Sequence, residues 1–354
     1  SIDLSAQCIL EEVLYGGMRL MNAKGASAVL MDANTGEILA MSSLPDFDPN
    51  KRPRILTEGF ASDSPLFNRA VQGVYELGST FKPFTVAQAL ELKLVSPETL
   101  IDTRGPLLWG KFKIRDFRDY GPELSVEKVI VKSSNIGTAR IAQIIGNERQ
   151  KAFLDRLGML AATPIELIEG PTGRPQYPNN WSEISTMTIS YGHGISTSPL
   201  HLAAGYATII NGGTLVTPTL LKQNIRKVGK RIVSEKVSQE IRTMLRHVVT
   251  DGTARSGDVP GYFVGGKTGT ADKPSPKGGY YEHKVLATFA GIFPSHDPKY
   301  VLVVTLDEPE DLRGPEPRRT ASVTAVPVAA EVIRRIAPLL GLAPQAERKH
   351  QMDM

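Results

Sequence analysis

A single cysteine, Cys8, occurs in 354 residues, so no disulfide can close within the chain. Such scarcity fits a reducing compartment, or a periplasmic protein that does without disulfides. Cys8 falls in an amphipathic run near the start and is expected to be a buried apolar residue, not a nucleophile. No apolar run reaches the roughly 18 residues of a membrane span, and no signal peptide is recognisable. The chain opens at Ser1 without a methionine and reads as part of something longer. Blocks of like charge are missing too. The net charge of +4 and pI of about 9.0 describe a solvated surface with a slight basic surplus, which at most favours an anionic membrane or wall surface. Nothing points to a nucleic-acid partner. There are six histidines but no G-x-S-x-G elbow, and no H-E-x-x-H or clustered metal ligands. A Ser-His-Asp hydrolase and a zinc hydrolase both lack their motifs, and no metal or cofactor is expected. His193, in "SYGHGIS", has the most suggestive setting and reads as structural.

What is present is ordinary globular material: 41% apolar and 22% charged residues, enough for one large or two medium domains. "LSAQCILEEVLYGGM" has helical spacing and is expected to end at Gly16-Gly17. Two apolar runs around Asn34-Thr35-Gly36 predict a strand, a turn and a strand. A loop covers Pro45 to Ser64. Gly78 to Leu94 reads as a helix with Pro83 in its first turn, where a missing N–H is tolerable. Further helices are predicted near Val126–Ile130, over Ile136–Ile145, from Ser198 to Asn211, and through Val237, Ile241, Met244, Leu245 and Val248. "GYFVGGKTGT", "KVLATFAGIF" and "YVLVVTL" are β-rich, and a last helix follows Val326. The fold class is therefore α/β in the α+β sense. A central sheet is built from both chain ends, flanked by helices, and the helical middle forms a subdomain.

"GYFVGGKTGT" carries two readings. Gly261, Gly266, Lys267 and Thr268 satisfy the phosphate-loop pattern G-x-x-x-x-G-K-[ST]. A phosphate loop needs a buried strand before it and a helix after it. Here "DGTARSGDVP" precedes and "ADKPSPKGG" follows, and neither complies. Tyr262 to Lys267 reads instead as a strand with "KTGT" on it or at its end, an edge able to take an extended peptide. Lys267-Thr268-Gly269 then serves as the third element of a serine acyl-transfer site.

Ser79-Thr80-Phe81-Lys82 supplies the first element, because residues i and i+3 share a helix face and the amine reaches the hydroxyl. The helix N-terminus adds partial positive charge at Ser79. Ser125-Val126-Glu127-Lys128 has the same spacing, but its serine looks like a helix cap and its lysine a surface residue. Ser133-Ser134-Asn135 supplies the middle element. S-x-x-K, S-D-N and K-T-G together mark class A β-lactamases and penicillin-binding proteins.

With "NRAVQGVYELGSTFKP", "VIVKSSNIGTARIA", "SYGHGISTSPLHLAAGYATIINGG" and "GGKTGTA", the sequence resembles the transpeptidase domain of class B penicillin-binding proteins. "VYELGSTFK" is closer to the division-specific members. The resemblance covers Ala26 onward, dividing the chain into a lead-in helix, 1–25, at the junction to a missing pedestal domain, and a transpeptidase domain, 26–354. It implies an antiparallel sheet covered by helices with an all-helical subdomain. It also implies a periplasmic, membrane-anchored full-length protein acting in septal cell-wall synthesis beside a SEDS-type glycosyltransferase and division proteins. The reaction implied is attack of Ser79 on the D-Ala-D-Ala bond of a peptidoglycan stem peptide, then transfer of the acyl group to a neighbouring stem's amine. β-Lactams would acylate the same serine.

By that resemblance Lys82 is the general base, Ser133 relays a proton to the leaving amine, and Asn135 holds a substrate amide and orients Lys82. Lys267, Thr268, Gly269 and Thr270 form the carboxylate-binding strand. Backbone N–H groups of Ser79 and Thr270 form the oxyanion hole. A lysine base at neutral pH needs a depressed pKa, which burial and the Lys267 cation would both supply. Two departures matter. The middle motif is "SSN", not "SDN", and no E-x-x-L-N segment supplies a deacylating glutamate. The missing glutamate favours a transpeptidase over a penicillin-hydrolysing relative; a penicillin-sensing relative is the other alternative, set apart by its regulatory domain.

Overall fold

A computed structural model describes residues 1–223 and 229–346. The last eight residues assigned to the transpeptidase domain, 347–354, lie outside them. In chain order the elements are α1 (Leu4–Leu20), β1 (Gly25–Asp32), β2 (Ile38–Leu44), α2 (Lys82–Glu91), β3 (Leu100–Asp102), β4 (Leu107–Trp109), β5 (Phe112–Ile114) and β6 (Glu123–Ser125). There follow α3 (Val126–Lys132), α4 (Asn135–Ile145), α5 (Asn147–Arg156), α6 (Glu183–Ser190), α7 (Pro199–Ile210) and α8 (Glu235–Thr250). The chain closes with β7 (Gly265–Pro274), β8 (Tyr280–Phe293), β9 (Tyr300–Asp307) and α9 (Ala325–Leu339).

Five strands form one antiparallel sheet in the order β2-β1-β9-β8-β7, so the two chain ends meet where β1 pairs with β9. Helices α1 and α9 pack on each other and on the sheet, and α7 packs on β9 and β1 while α8 packs on β7. With helices against it, β9 has no wet face; Val301 to Leu306 are all buried, so its sequence is a continuous apolar run instead of an alternation. The middle of the chain groups α2 with α4, α5 and α6. It also carries two short ribbons, β3-β6 and β4-β5, that its sequence did not announce. No helix among the described residues is long and apolar enough to cross a membrane.

Four local expectations need correction. Helix α1 does not end at Gly16-Gly17 but continues to Leu20. Gly17 is there because α9 comes close: a Cβ would sit 2.6 Å from Val328 Cγ2. Cys8 is exposed, on the solvent side of a helix whose buried stripe is Ala6, Leu10, Leu14 and Met18. The run from Gly78 splits into a 3-10 turn, Gly78–Phe81, and then α2, with Pro83 in the first turn as expected. Finally, Tyr262 to Val264 are not strand. Phe263 has φ +46°, which bends the chain before β7 begins at Gly265. "KTGT" therefore lies inside the strand, which continues to Pro274 through an irregular step in its pairing with β8.

Helices α5 and α6 had no expectation. The first is too charged to show an apolar stripe; the second is rich in Ser and Thr, and only its Ser182 cap, accepting from Ser185 N, marks its start. By contrast α7 starts at the Ser198 cap and ends at Asn211, the signals its sequence carries.

Candidate active site

Ser79 lies in the 3-10 turn Gly78–Phe81, and the backbone N–H of Lys82 donates to Ser79 O. With three residues per turn, a 3-10 segment eclipses side chains i and i+3, which stacks Lys82 over Ser79 more directly than an α-helix would. The turn is fixed from several sides. Thr80 Oγ1 donates to Leu77 O at 2.8 Å, and Tyr206 OH donates to Thr80 O at 2.8 Å. Gly78 has φ +57° and donates its N–H to Gly192 O at 3.2 Å. Gly192 in turn lies so close that a Cβ would fall 2.1 Å from Gly78 O. Glu76 Oε1 accepts from Gly194 N at 2.7 Å, and its Oε2 stands 3.2 Å from His193 Nδ1 and accepts from Tyr280 OH at 3.1 Å. His193 thus ties the 190s loop to the serine turn, a structural post.

Ser133 closes α3 in the left-handed region, φ +65°, where a non-glycine residue is strained. It is Ser134, not Ser133, that caps α4, accepting from Gly137 N at 2.9 Å. Asp116, from the loop after β5, holds this turn. Its carboxylate accepts from Ser134 Oγ at 2.6 Å, Asn135 N at 2.5 Å and Ile136 N at 3.0 Å. An anion on the first N–H groups of α4 satisfies donors that no helical carbonyl can reach. Asn135 Nδ2 donates to Arg115 O at 3.0 Å.

The third motif arrives on β7, the sheet's edge strand. Gly269 lets it lie against the serine turn, since a Cβ there would sit 2.2 Å from Leu77 O. Thr268 Oγ1 and Thr253 Oγ1 share a hydrogen bond of 2.7 Å. Thr270 Oγ1 accepts from Ala321 N at 2.9 Å.

The three motifs converge on the Ser133 hydroxyl. Lys82 Nζ donates to it at 3.1 Å and to Ser133 O at 2.6 Å. Lys267 Nζ donates to it at 2.9 Å and to Thr268 O at 3.2 Å. Both amines are 0% exposed. Burial drives the Lys82 pKa well below its ordinary value, and the Lys267 charge pushes the same way against the opposing Asp116 carboxylate. Burial alone takes Lys267 down to about 7. Two ammonium groups cannot share a dry site, so at least one is a free amine near neutrality. The hydrogen bonds of Lys82 go to Ser133, not to Asn135, and they use two of its three amine positions. Two incoming donors also fill both lone pairs of Ser133 Oγ, leaving its own proton to be given away.

Residues 26–334 match the family model described as penicillin binding protein transpeptidase domain. The chain belongs to that family. A Caulobacter vibrioides protein named probable peptidoglycan D,D-transpeptidase FtsI is 37% identical over 98% of this chain and 59% of its own length. A Neisseria meningitidis protein named probable peptidoglycan D,D-transpeptidase PenA is 35% identical over 87% of this chain and 52% of its own. The chain thus spans little more than half the length of these relatives. Among solved structures, the apo TP domain of Burkholderia pseudomallei penicillin-binding protein 3 superposes with a TM-score of 0.84. It is 32% identical, and 97% of each chain is covered.

In this penicillin-binding domain, Ser79, Ser133, Asn135, Thr268 and Thr270 line one cleft of about 820 Å³. Lys82 and Lys267 lie beneath it. The same cleft is lined by Asp116, Thr253, Arg115 and Arg118, none of which the sequence singled out. Asp116 sits in "IRDFRDYG", where nothing distinguishes a structural carboxylate from a surface one. The decoy resolves simply: Ser125 Oγ accepts from Lys128 N at 3.2 Å as the cap of α3, and Lys128 is exposed.

Proposed function

We propose that this domain is a serine-type peptidoglycan D,D-transpeptidase. Ser79 attacks the D-Ala-D-Ala carbonyl of a stem peptide and the terminal D-Ala leaves. A neighbouring stem's amine then takes the acyl group. The observation that carries this reading is the convergence of two buried lysines on one serine hydroxyl beside Ser79. Lys82 as a free amine takes the Ser79 proton. Ser133 passes a proton to the departing amine and is re-supplied through Lys82. Lys267, Thr268 and Thr270 hold the terminal carboxylate, and the backbone N–H groups of Ser79 and Thr270 receive the developing oxyanion.

The missing E-x-x-L-N segment supports transfer over hydrolysis, because water then has no carboxylate base of that kind and the acyl-enzyme waits for an amine. The names of the relatives and the "VYELGSTFK" text support a septal role. They also support an extracytoplasmic location, and partners of the division and SEDS glycosyltransferase type for the whole protein. Mass spectrometry after incubation with a penicillin tests the reading. One covalent adduct on Ser79 is expected, absent in Ser79→Ala. An adduct elsewhere, or rapid catalytic turnover of the penicillin, overturns it.

A further inference from the structure

The cleft is charged on one side by groups that the acyl-transfer chemistry does not use. Its lining includes four cations, Arg115, Arg118, Lys132 and Arg255, against two carboxylates, Asp116 and Asp251. Asp116 is fully engaged at the start of α4, and Asp251 accepts from Thr250 Oγ1 at 2.6 Å. Neither Arg115 nor Arg118 forms an ion pair among the described residues, and the side chain of Arg118 hydrogen-bonds that of Tyr120. Arg104 nearby shows the contrast, since its guanidinium is already committed to both oxygens of Asp102 at 3.0 and 2.9 Å.

Arg115 and Arg118 stand on a held platform. The Arg115 carbonyl accepts from Asn135 Nδ2, and the adjacent Asp116 carboxylate is bound to three donors of the Ser134–Ile136 turn. Both residues also line a second cavity of about 440 Å³, bounded by Arg104, Gly105 and Pro106. They therefore mark the rim where the serine cleft runs on past Asn135. An elongated substrate acylated at Ser79 would cross this rim.

We infer that Arg115 and Arg118 form a second carboxylate-binding station at the Asn135 end of the cleft, selecting acyl donors with a free carboxylate several bonds from the reacting carbonyl. Lys267, Thr268 and Thr270 read the carboxylate that leaves with the terminal residue; the arginine pair reads one that stays on the acylated stem. Guanidinium forks suit this task because they bind carboxylates through two parallel N–H groups. This rests on the acyl-transfer reading of Ser79 and sharpens it to acidic stem peptides.

The test uses two D-alanyl thioesters that differ only at the far end of the N-acyl group, one ending in a carboxylate and the other in the corresponding amide. For the unmodified protein at low salt, kcat/KM is expected to favour the carboxylate by about tenfold, a difference two partly exposed ion pairs can supply. In Arg115→Gln/Arg118→Gln that ratio falls to about one, while the lysine pair at the same positions retains part of it. Both side chains are exposed, so the variants keep the melting temperature of the parent. A ratio near one in the parent, or an unchanged ratio in the glutamine variant, overturns the inference while leaving Ser79 acylation intact. Failure of both thioesters and of penicillin to acylate Ser79 overturns instead the reading beneath it.

Discussion

Lys267 Nζ and Ser133 Oγ are 2.9 Å apart, and the Lys82 amine occupies the other side of the same hydroxyl at 3.1 Å. Lys267 lies 185 positions from Lys82 in sequence, yet its charge lowers the Lys82 pKa across one shared serine. Their burial has a thermodynamic sign. A lysine held near 7 in the fold and near 10.5 in the unfolded chain binds fewer protons when folded between those values. Its penalty is full below about 7 and fades as pH rises toward 10.5, so this group makes stability climb with pH across that window.

Lys267→Met removes the penalty. The melting temperature at pH 7 is expected to rise by about 2 °C or more, and its upward slope with pH to flatten, because a buried charge is replaced by a chain of similar volume. Penicillin acylation is expected to fall at least ~100-fold, since the cation proposed to bind the carboxylate is gone. Residual acylation also shifts: without the Lys267 charge the Lys82 pKa rises, so the acid limb of the rate profile moves to higher pH. Thermal scans and stopped-flow acylation across pH check both signs, and a lower melting temperature at pH 7 contradicts the account.

Asp116→Asn should shift the same limb the opposite way. The Asp116 charge favours the ammonium form of Lys82, so its loss lowers the Lys82 pKa and extends acylation to lower pH. Asparagine keeps an oxygen for the N–H groups of Asn135 and Ile136 but loses charge-assisted bonds, costing about 1–3 kcal/mol of stability in denaturant melts. A purely structural role for Asp116 predicts slower acylation with an unmoved pH profile.

The candidate site was legible in the sequence because the proposed acyl transfer by serine and lysine needs fixed spacings on short segments. Ser79 with Lys82 and the "KTGT" run are such segments. The sheet was legible because β1, β8 and β9 are long apolar runs. What stayed hidden depends on distant contacts. Gly17 looks like a helix stop until Val328 is seen against it. Asp116 looks like loop until α4 is placed on it. Tyr262 to Val264 has strand propensity that the positive φ of Phe263 overrides. Cys8 falls on the wet side of α1 because burial there follows the α9 contact and not the cysteine's own preference.

Gly269 holds its place in the motif by having no side chain. In Gly269→Ala the new Cβ would meet Leu77 O at 2.2 Å and Thr80 Cγ2 at 2.9 Å. Either β7 or the serine turn must move, and a displacement near 1 Å costs roughly 100-fold in rate. Overpacking adds about 1–3 kcal/mol of destabilisation. Acylation kinetics and a urea melt measure the two effects. Acylation at the parent's rate would mean that β7 does not rest on the serine turn during reaction.

Ser133 separates its backbone role from its hydroxyl. At φ +65° any side chain is strained, so Ser133→Ala keeps the strain and Ser133→Gly relieves it. Both variants lose the oxygen that bridges the lysines, and acylation should fall equally in each, by at least ~100-fold. In stability they should part, with the glycine variant about 1 kcal/mol above the alanine one, because the left-handed turn is retained at lower cost. Equal stability of the two would show that the turn relaxes away from the left-handed region once the lysines release it. Acylation retained in either would place the proton relay elsewhere than on Ser133 Oγ.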